Sequence, residues 1–534
     1  MEVHRWVAAG AFRRHAAWLL VVLAFLIVSP YYERLNNPNE NVRVWATRAI
    51  VEHHVLDIDA VSREWGWVND KAKNDRHIYS SKAPGVSFLG VPVLFAETQL
   101  RALVGWPAPS KRAATFWLRI CAVKLPIAAF LWAFARYVER KTRSALARDL
   151  LVVALGLGTM VYPYGGLFVG HALAAAAAFA AYMLLDPRPD PPREGQRAPT
   201  RASNRGLAGA GVLAGLAVIF EYQAILVALA LGAYALVRHR RRGLAFAAGA
   251  MPPAVALGAY HTALFGHPWT FPYANIENPV FARAHHQAGF HGLSLPNLAT
   301  VPSFLFSPAY GLFAFSPVLA LGAGGAIYLW VRGPRREAVL VSAICLLMFL
   351  FLAGMSNWRA GWCVGPRYVA TVAPFLLVPV IELWPRITRL WWWASAVMVG
   401  LVIPSVLLNV VSGSLYPHYP EQFDNPVFDL AFPLLGAGYV PYGIGWLLGL
   451  PGLWAMAPLA LVVLAAITLS AGGDDPRPRR TAAHLAIALG IAAAFLVSLS
   501  AYGRKPRADE TQAAATVREL WEPPRIVGPP ENRR

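Results

Sequence analysis

The chain has 534 residues, of which 57% are hydrophobic and 14% charged, and its formal net charge is +19. Apolar runs long enough to cross a hydrocarbon core of roughly 30 Å recur along it, which is the composition of a polytopic helical membrane protein and excludes a soluble enzyme. The positive charge does not point to nucleic acid, because the basic residues sit in short loops between apolar runs and no nucleic-acid recognition motif accompanies them.

The first expected span, near 16–30, follows Arg13 and Arg14. Behind it lies a polar stretch, 31–84, with eight acidic residues (Glu33, Glu40, Glu52, Asp57, Asp59, Glu64, Asp70, Asp75) out of 29 in the whole chain, balanced by eight basic ones. Within it Asn39-Glu40-Asn41 precedes Val42, Trp45, Ala46, Ala49, Ile50 and His53 at helical spacing, which predicts a short amphipathic helix lying on the membrane surface. Asn39 and Glu40 then read either as a cap with a dipole-compensating acid or as a carboxylate held rigidly at the water boundary, where a general base must sit. Asp70 has the same two readings, an ion pair with Lys71 or Lys73 or a base, while Asp57 and Asp59 read as solvated loop acids. The stretch closes on Tyr79-Ser80-Ser81-Lys82-Ala83-Pro84-Gly85. The apolar segment 85–104 that follows mimics a span, but if it crossed, the basic loop 136–148 would move to the outer face. It is therefore expected as a helix at the interface.

Further spans are expected near 113–136, 150–163, 168–185, 206–221, 222–237, 244–264, 312–331, 338–354, 368–384, 390–410, 436–470 and 482–502, about thirteen with the first. The basic loops place the amino terminus in the cytoplasm and the carboxyl terminus outside by the positive-inside rule. The loops 31–84, 265–302, 355–367 and 412–431 then share the periplasmic or extracytoplasmic face of an inner membrane. Span 436–470, with Pro441 and Pro451, is too long for one straight helix and is expected to enter through a broken segment. The segment 186–205 is expected as a flexible cytoplasmic linker, and the tail 504–534, beyond the transmembrane domain 1–503, as disordered. Of the three cysteines only Cys363 falls in a polar loop, so no disulfide framework is expected. No internal repeat, Walker motif, dinucleotide glycine motif or HExxH helix is present.

A first span, an acid-containing surface helix, an aromatic-Ser-x-Lys-x-Pro segment at Tyr79 to Pro84, an interfacial helix and many spans together resemble the GT-C superfamily of polyprenyl-phosphate-dependent glycosyltransferases. The likeness is to family-39-like protein O-mannosyltransferases and lipid A aminoarabinose transferases. Phe306-Ser307-Pro308-Ala309-Tyr310-Gly311-Leu312-Phe313 and Gly361-Trp362-Cys363-Val364-Gly365-Pro366-Arg367-Tyr368 also look like segments that recur in bacterial members. The resemblance implies a GT-C-like all-α fold. It also implies that an acid of an Asp-Glu pair opening the first surface helix activates the acceptor; the matching positions are Asn39 and Glu40, and since Asn39 cannot be a base the role passes to Glu40 or Asp70. Lys82 holds the place of the family lysine that contacts lipid phosphate. His171 stands where the family has an acid at the outer end of the fourth span, so a divalent metal is possible but not implied.

The chemistry of the residues agrees with that resemblance. A lipid-phosphate sugar carries its leaving group as an anion, so the site needs fixed cations beside a carboxylate near the incoming hydroxyl or amine. Lys82, Arg359 and Arg367 can supply the cations, although arginines there could instead be anchors to lipid headgroups. Glu221, between two apolar spans, is costly in hydrocarbon and is a functional candidate. Asn39, Tyr79, Lys82, His171, Glu221, Arg359, Arg367 and Tyr368 are thus the expected substrate-binding residues, and Glu40 and Asp70 the expected catalytic ones. His285, His286 and His291 read as solvated rather than metal-binding. The expected activity is transfer of a sugar from a polyprenyl-phosphate donor to an extracytoplasmic glycan, lipid or protein by an inverting enzyme. A transporter or flippase of lipid-linked sugars, or a non-catalytic envelope-assembly protein, is the alternative.

Overall fold

The computed structural model describes residues 2–35, 37–186, 202–286, 289–391, 393–471, 478–502 and 508–520. They form an all-helical polytopic membrane protein with a single two-stranded hairpin among the described residues. In chain order come α1 (Glu2–Ile27), α2 (Pro38–Arg48), α3 (Asp59–Trp65), the strands β1 (Lys71–Lys73) and β2 (Ile78–Ser80), α4 (Gly85–Leu103) and α5 (Lys111–Thr142). There follow α6 (Ala145–Leu157), α7 (Val161–Gly165), α8 (His171–Leu185), α9 (Asn204–Phe220), α10 (Ile225–His239), α11 (Leu244–Phe265) and α12 (Ala320–Arg332). The chain continues as α13 (Arg335–Gly354), α14 (Val372–Leu390), α15 (Ala394–Leu415), α16 (Ala457–Ala471), α17 (Pro478–Ser500) and α18 (Ala508–Leu520).

Every stretch read as a span from the sequence contains one of these helices, and seven helical stretches among the described residues are long and apolar enough to cross a membrane. Several boundaries differ from the sequence reading by a few residues or more, and three of the differences have a local reason. The span expected at 150–163 starts earlier, because Ser144 caps α6 by accepting the Ala147 N–H at 3.1 Å, and it stops at Leu157. Segment 436–470 is regular only from Ala457, the residues before it making short turns around Ile444–Leu447 and Gly452–Met456. In the tail, Ala508–Leu520 is a helix rather than disordered chain: Val517 is fully buried, packed with Tyr416, Phe423 and Leu430. Residues 187–201 of the expected linker and 521–534 lie outside the described residues.

Small residues set close helix contacts. A Cβ at Gly211 of α9 would overlap the carbonyl oxygen of Phe246 in α11, and one at Gly249 of α11 that of Ala208, so the two backbones touch. One end of the bundle is tied by a buried charge network. Lys141 of α5 pairs with Asp186, and with Glu382 of α14 at 2.6 Å; Arg238 of α10 reaches the same Asp186 at 2.7 Å and Glu337 of α13 at 3.7 Å.

The other end is where the long loops meet. Isolated backbone pairings join Val28 to Gly443, Ala72 to Ile276 and Leu293 to Met355, and the Cys363 N–H donates to the Tyr419 carbonyl at 3.1 Å. Helix α4 starts there: Gly85 packs on Ile219 and Phe220 at the end of α9, and Gly90 on Thr47 of α2, Leu118 of α5 and Phe168. Its first half therefore packs against α2, α5 and the end of α9, and by length and composition it is itself one of the seven candidate spans, where the sequence reading expected a helix at the interface.

Candidate functional site

The site is built from the hairpin outward. Residues 71–73 and 78–80 pair antiparallel with Lys71 opposite Ser80, which sets Asp70 opposite Ser81. The Asp70 carbonyl accepts from Ser81 twice, from its N–H at 3.0 Å and its hydroxyl at 2.6 Å. These bonds hold Asp70 in the left-handed region, φ 58°, a conformation a non-glycine side chain adopts only when its surroundings fix it. The result is an ion pair at 3.0 Å between the Asp70 carboxylate and Lys82. Neither Lys71 nor Lys73 is its partner; Lys71 pairs instead with Glu277 at 3.4 Å.

Asp70 and Lys82 face a cavity of about 250 Å³ that also takes in Asn39, Tyr273, Asn357, Arg367, Tyr368 and His418. Its lining holds one carboxylate, Asp70, against two cations, Lys82 and Arg367. Lys82 stands 5.7 Å from the centre of the Tyr273 ring. Arg367 donates to the Ala360 carbonyl at 2.8 Å, while its buried Nε has no hydrogen-bond partner among the described residues. Arg367 is buried beside Cys363, Tyr368 and Tyr164 and, as an arginine, stays a guanidinium there. An excess of fixed positive charge in a partly dry pocket favours an anion.

Behind this cavity Arg43, fully buried on α2, donates to Asn39 at its carbonyl (2.9 Å) and its side-chain oxygen, and to Glu221 at 2.8 Å. Glu221 in turn lies 3.6 Å from the His171 ring, whose two buried nitrogens have no hydrogen-bond partner among the described residues. That approach depends on Gly170, since a Cβ there would collide with the Phe220 carbonyl and the Glu221 side chain. His171 stacks edge-on with Tyr164 at 5.0 Å and with Tyr368 at 6.4 Å.

Glu40 lies outside the main cavity. Its helix opens two residues earlier than the sequence suggested, with Asn37 before it and Pro38 in the first turn. The carboxylate receives Arg119 of α5 at two points, both at 2.6 Å, the Phe168 N–H at 2.7 Å and the Asn37 amide at 3.2 Å. Four donors occupy the lone pairs a carboxylate has to offer. Burial alone would raise its pKa, but Arg119 and the Phe168 N–H hold it below the usual carboxylate range. His418 sits between Glu40 and the cavity, 3.5 Å from the Asn37 amide. Burial, helped by Arg119 and Arg367 and opposed by Glu40, pushes its pKa down to about 3, so the ring is neutral.

The fold thus brings Asn39, Asp70, Lys82, Arg367 and Tyr368 to one cavity and backs them with Glu221 and His171. Arg359 and Tyr79 are not in its lining. Arg359 points over Tyr310 at 5.9 Å, and Tyr79 packs on Phe265 at 5.8 Å and accepts from Asn74. Arg43, Arg119, Tyr273 and His418 are absent from the sequence-based candidates. For Arg119 a signal exists, since an arginine within an apolar span needs a buried partner, and it sits in a π-helical turn, Leu118–Lys124, of the kind common at functional positions. Two groups, Glu52/His53/Glu64 and Asp57/Asp59/His77, could each converge on a metal ion, but neither lines the cavity, and His77 already pairs with Asp59 at 2.9 Å. The side chains of His285 and His286 lie outside the described residues.

No family model and no curated protein matches the chain. Among solved structures it is similar to ArnT from Cupriavidus metallidurans bound to undecaprenyl phosphate, with 16% identity and a TM-score of 0.47, over 93% of this chain and 76% of that one. It is also similar to the Archaeoglobus fulgidus oligosaccharyltransferase tethered to an acceptor peptide, with 12% identity and a TM-score of 0.37, over 90% of this chain and 59% of that one.

Proposed function

We propose that this chain is an inverting membrane glycosyltransferase that moves a sugar from a polyprenyl-phosphate donor to an acceptor at the extracytoplasmic face of the inner membrane. The observation that carries the reading is the Asp70–Lys82 pair facing Arg367 across one cavity at the loop end of a membrane bundle. Lys82 and Arg367 take the donor phosphate, the unpartnered Arg367 Nε being one donor ready for it. As the phosphate draws Lys82, Asp70 is released to accept the proton of the acceptor hydroxyl or amine. The acceptor atom then forms its bond to the anomeric carbon from the face opposite the phosphate, the carbon–oxygen bond to phosphate breaks, and polyprenyl phosphate leaves with the electron pair. Arg43, held by Asn39 and Glu221, fixes the cavity floor, and the neutral His418 can hydrogen-bond the acceptor without competing for the phosphate. Glu40 in this reading anchors α2 to α5 and is not the base.

The test is sugar transfer by purified, reconstituted protein from polyprenyl-phosphate sugars. Asp70→Asn should retain donor binding and lose transfer by about a hundredfold or more, the usual contribution of a positioned base. Asp57→Asn and Asp75→Asn, acids of the same loop outside the cavity, should remain active. Full transfer by Asp70→Asn removes it as the base. Absence of transfer in wild type with every lipid-phosphate sugar favours transport.

A further inference from the structure

At the end of the bundle tied by the buried charge network, α12, α14 and the first turn of α15 enclose a groove of about 350 Å³. Arg386, which lines it, follows the start of α14 at Val372 by about 21 Å at the helical rise, so the groove lies far along that helix from Arg367 and the Asp70 cavity. Glycine makes its floor. A Cβ at Gly325 would collide with Pro379 of α14, whereas one at Gly324 would meet no atom within 4 Å, so α12 packs on α14 through one glycine and leaves open space over the other. Around that space stand Tyr328, Trp391 and Trp393, which are 43%, 45% and 43% exposed, the two indoles stacked at 5.8 Å. Half-exposed indole and phenol rings at the ends of membrane helices mark the boundary between hydrocarbon and headgroups, so the groove opens sideways into one leaflet.

The charge at this mouth has one sign. Arg332 ends α12, Arg335 and Arg336 open α13, and Arg386 and Arg389 lie in the last turns of α14; all five are exposed, and none is ion-paired to a carboxylate among the described residues. Arg386 donates to the Arg332 carbonyl at 3.5 Å, which brings the ends of α12 and α14 together. The nearest acids in sequence, Glu337 and Glu382, turn into the bundle, to Arg238 at 3.7 Å and Lys141 at 2.6 Å. An apolar slot below a row of uncompensated cations fits an amphiphile with a phosphate head and a hydrocarbon chain. A zwitterionic head would bring its own cation to that row, and a second copy of this chain would bring the same five arginines against it.

We propose that this groove is a binding site for an anionic phospholipid of the leaflet opposite the Asp70 cavity, with the lipid phosphate on Arg386 and one acyl chain over Gly324. The lipid there is neither donor nor acceptor. It fills the space between α12, α14 and α15 and neutralises the arginines that crowd their ends, and it does so whatever reaction the far end of the bundle carries out.

The experiment uses the full chain in phosphatidylcholine proteoliposomes doped with either phosphatidylglycerol or phosphatidylcholine that carries a photoactivatable group in the acyl chain, followed by mapping of labelled peptides. Phosphatidylglycerol should label 320–328 and 391–398 about fivefold more than phosphatidylcholine, the preference one arginine near the headgroups confers. Arg386→Glu should abolish that preference and Arg386→Lys should keep it, while Lys82→Ala, at the other end of the bundle, should leave it unchanged. Gly324→Leu puts a side chain into the open space and should lower labelling of both peptides severalfold. Equal labelling by the two lipids, a preference that survives Arg386→Glu, or full labelling of Gly324→Leu overturns the site. Cross-linking of Gly324→Cys to its own copy in the same proteoliposomes would assign the groove to a second chain and overturn the proposal. Labelling needs no sugar transfer, so the outcome is independent of the glycosyltransferase reading.

Discussion

The substitution Glu40→Gln separates two roles for the acid that sequence reasoning placed first. Glutamine keeps the shape, and its oxygen can still accept the Phe168 N–H, but its amide now faces the Arg119 guanidinium, donor against donor. Both side chains are 3% exposed, so the change strands a buried positive charge without a counterion. Breaking a buried pair in this way costs roughly 3–5 kcal/mol, whereas replacing both partners by apolar groups of similar size is often neutral. Glu40→Gln should therefore lower the unfolding free energy of the purified protein in mild detergent by about 3–5 kcal/mol. Glu40→Met combined with Arg119→Leu should recover most of it. Denaturant titration followed by tryptophan fluorescence reads both, with transfer activity measured on the same samples. If Glu40→Gln has wild-type stability and transfer falls a hundredfold, Glu40 is the base, and the assignment of Asp70 is refuted.

Three further outcomes follow from the same geometry. Lys82→Ala and Arg367→Ala should each weaken donor binding by roughly 10- to 100-fold, the worth of a charge-assisted hydrogen bond of about 1.5–3 kcal/mol, read as donor affinity of the purified variants; unchanged affinity in both would make them lipid anchors. The neutral His418 predicts an acid sensitivity: below its ordinary pKa of 6.5 the unfolded ring binds a proton that the folded ring refuses until about pH 3, so stability falls as pH drops through that window. The depressed Glu40 adds a loss only below its ordinary 4.5, and His418→Gln should shrink the part of the decline that begins near neutrality while leaving the Glu40 part. Cysteines placed at Asp75 and Glu421 should react with an impermeant thiol reagent in intact cells and one at Gln196 should not; labelling at Gln196 alone would invert the topology.

What the sequence made legible was whatever a short window can carry. Helix α2 announces itself by the spacing of Val42, Trp45, Ala46 and Ala49, although nine of its eleven residues prove to be buried, and the spans by apolar length. Lys82, Asp70 and Arg367 could be singled out as charged residues of the polar loops, and the fold brings them to one cavity. Which acid faces the cavity was not legible. Glu40 is committed to an arginine 79 positions away, and only tertiary packing brings α2 against α5. The hairpin that aims Asp70 was equally hidden, since strands of three residues show no alternation long enough to read. The place of Tyr79 was hidden for the same reason: its side chain packs on Phe265 and does not line the cavity that its neighbours reach.

The clamp on Asp186 bears on how the polypeptide can be cut. Lys141 and Arg238 fix the chain as it leaves α8. On the far side of 187–201, Ser203 caps α9 by accepting the Gly206 N–H at 3.0 Å, and Arg242 grips Ala202 at 2.6 Å and Asn204 at 2.9 Å. Each end is thus moored to the bundle by its own contacts. A gene divided there should yield two fragments, one ending after α8 and one beginning at α9, that find each other in the membrane and co-purify as a working whole. The backbone between Asp186 and Ala202 would then be a tether and not a part of the machine.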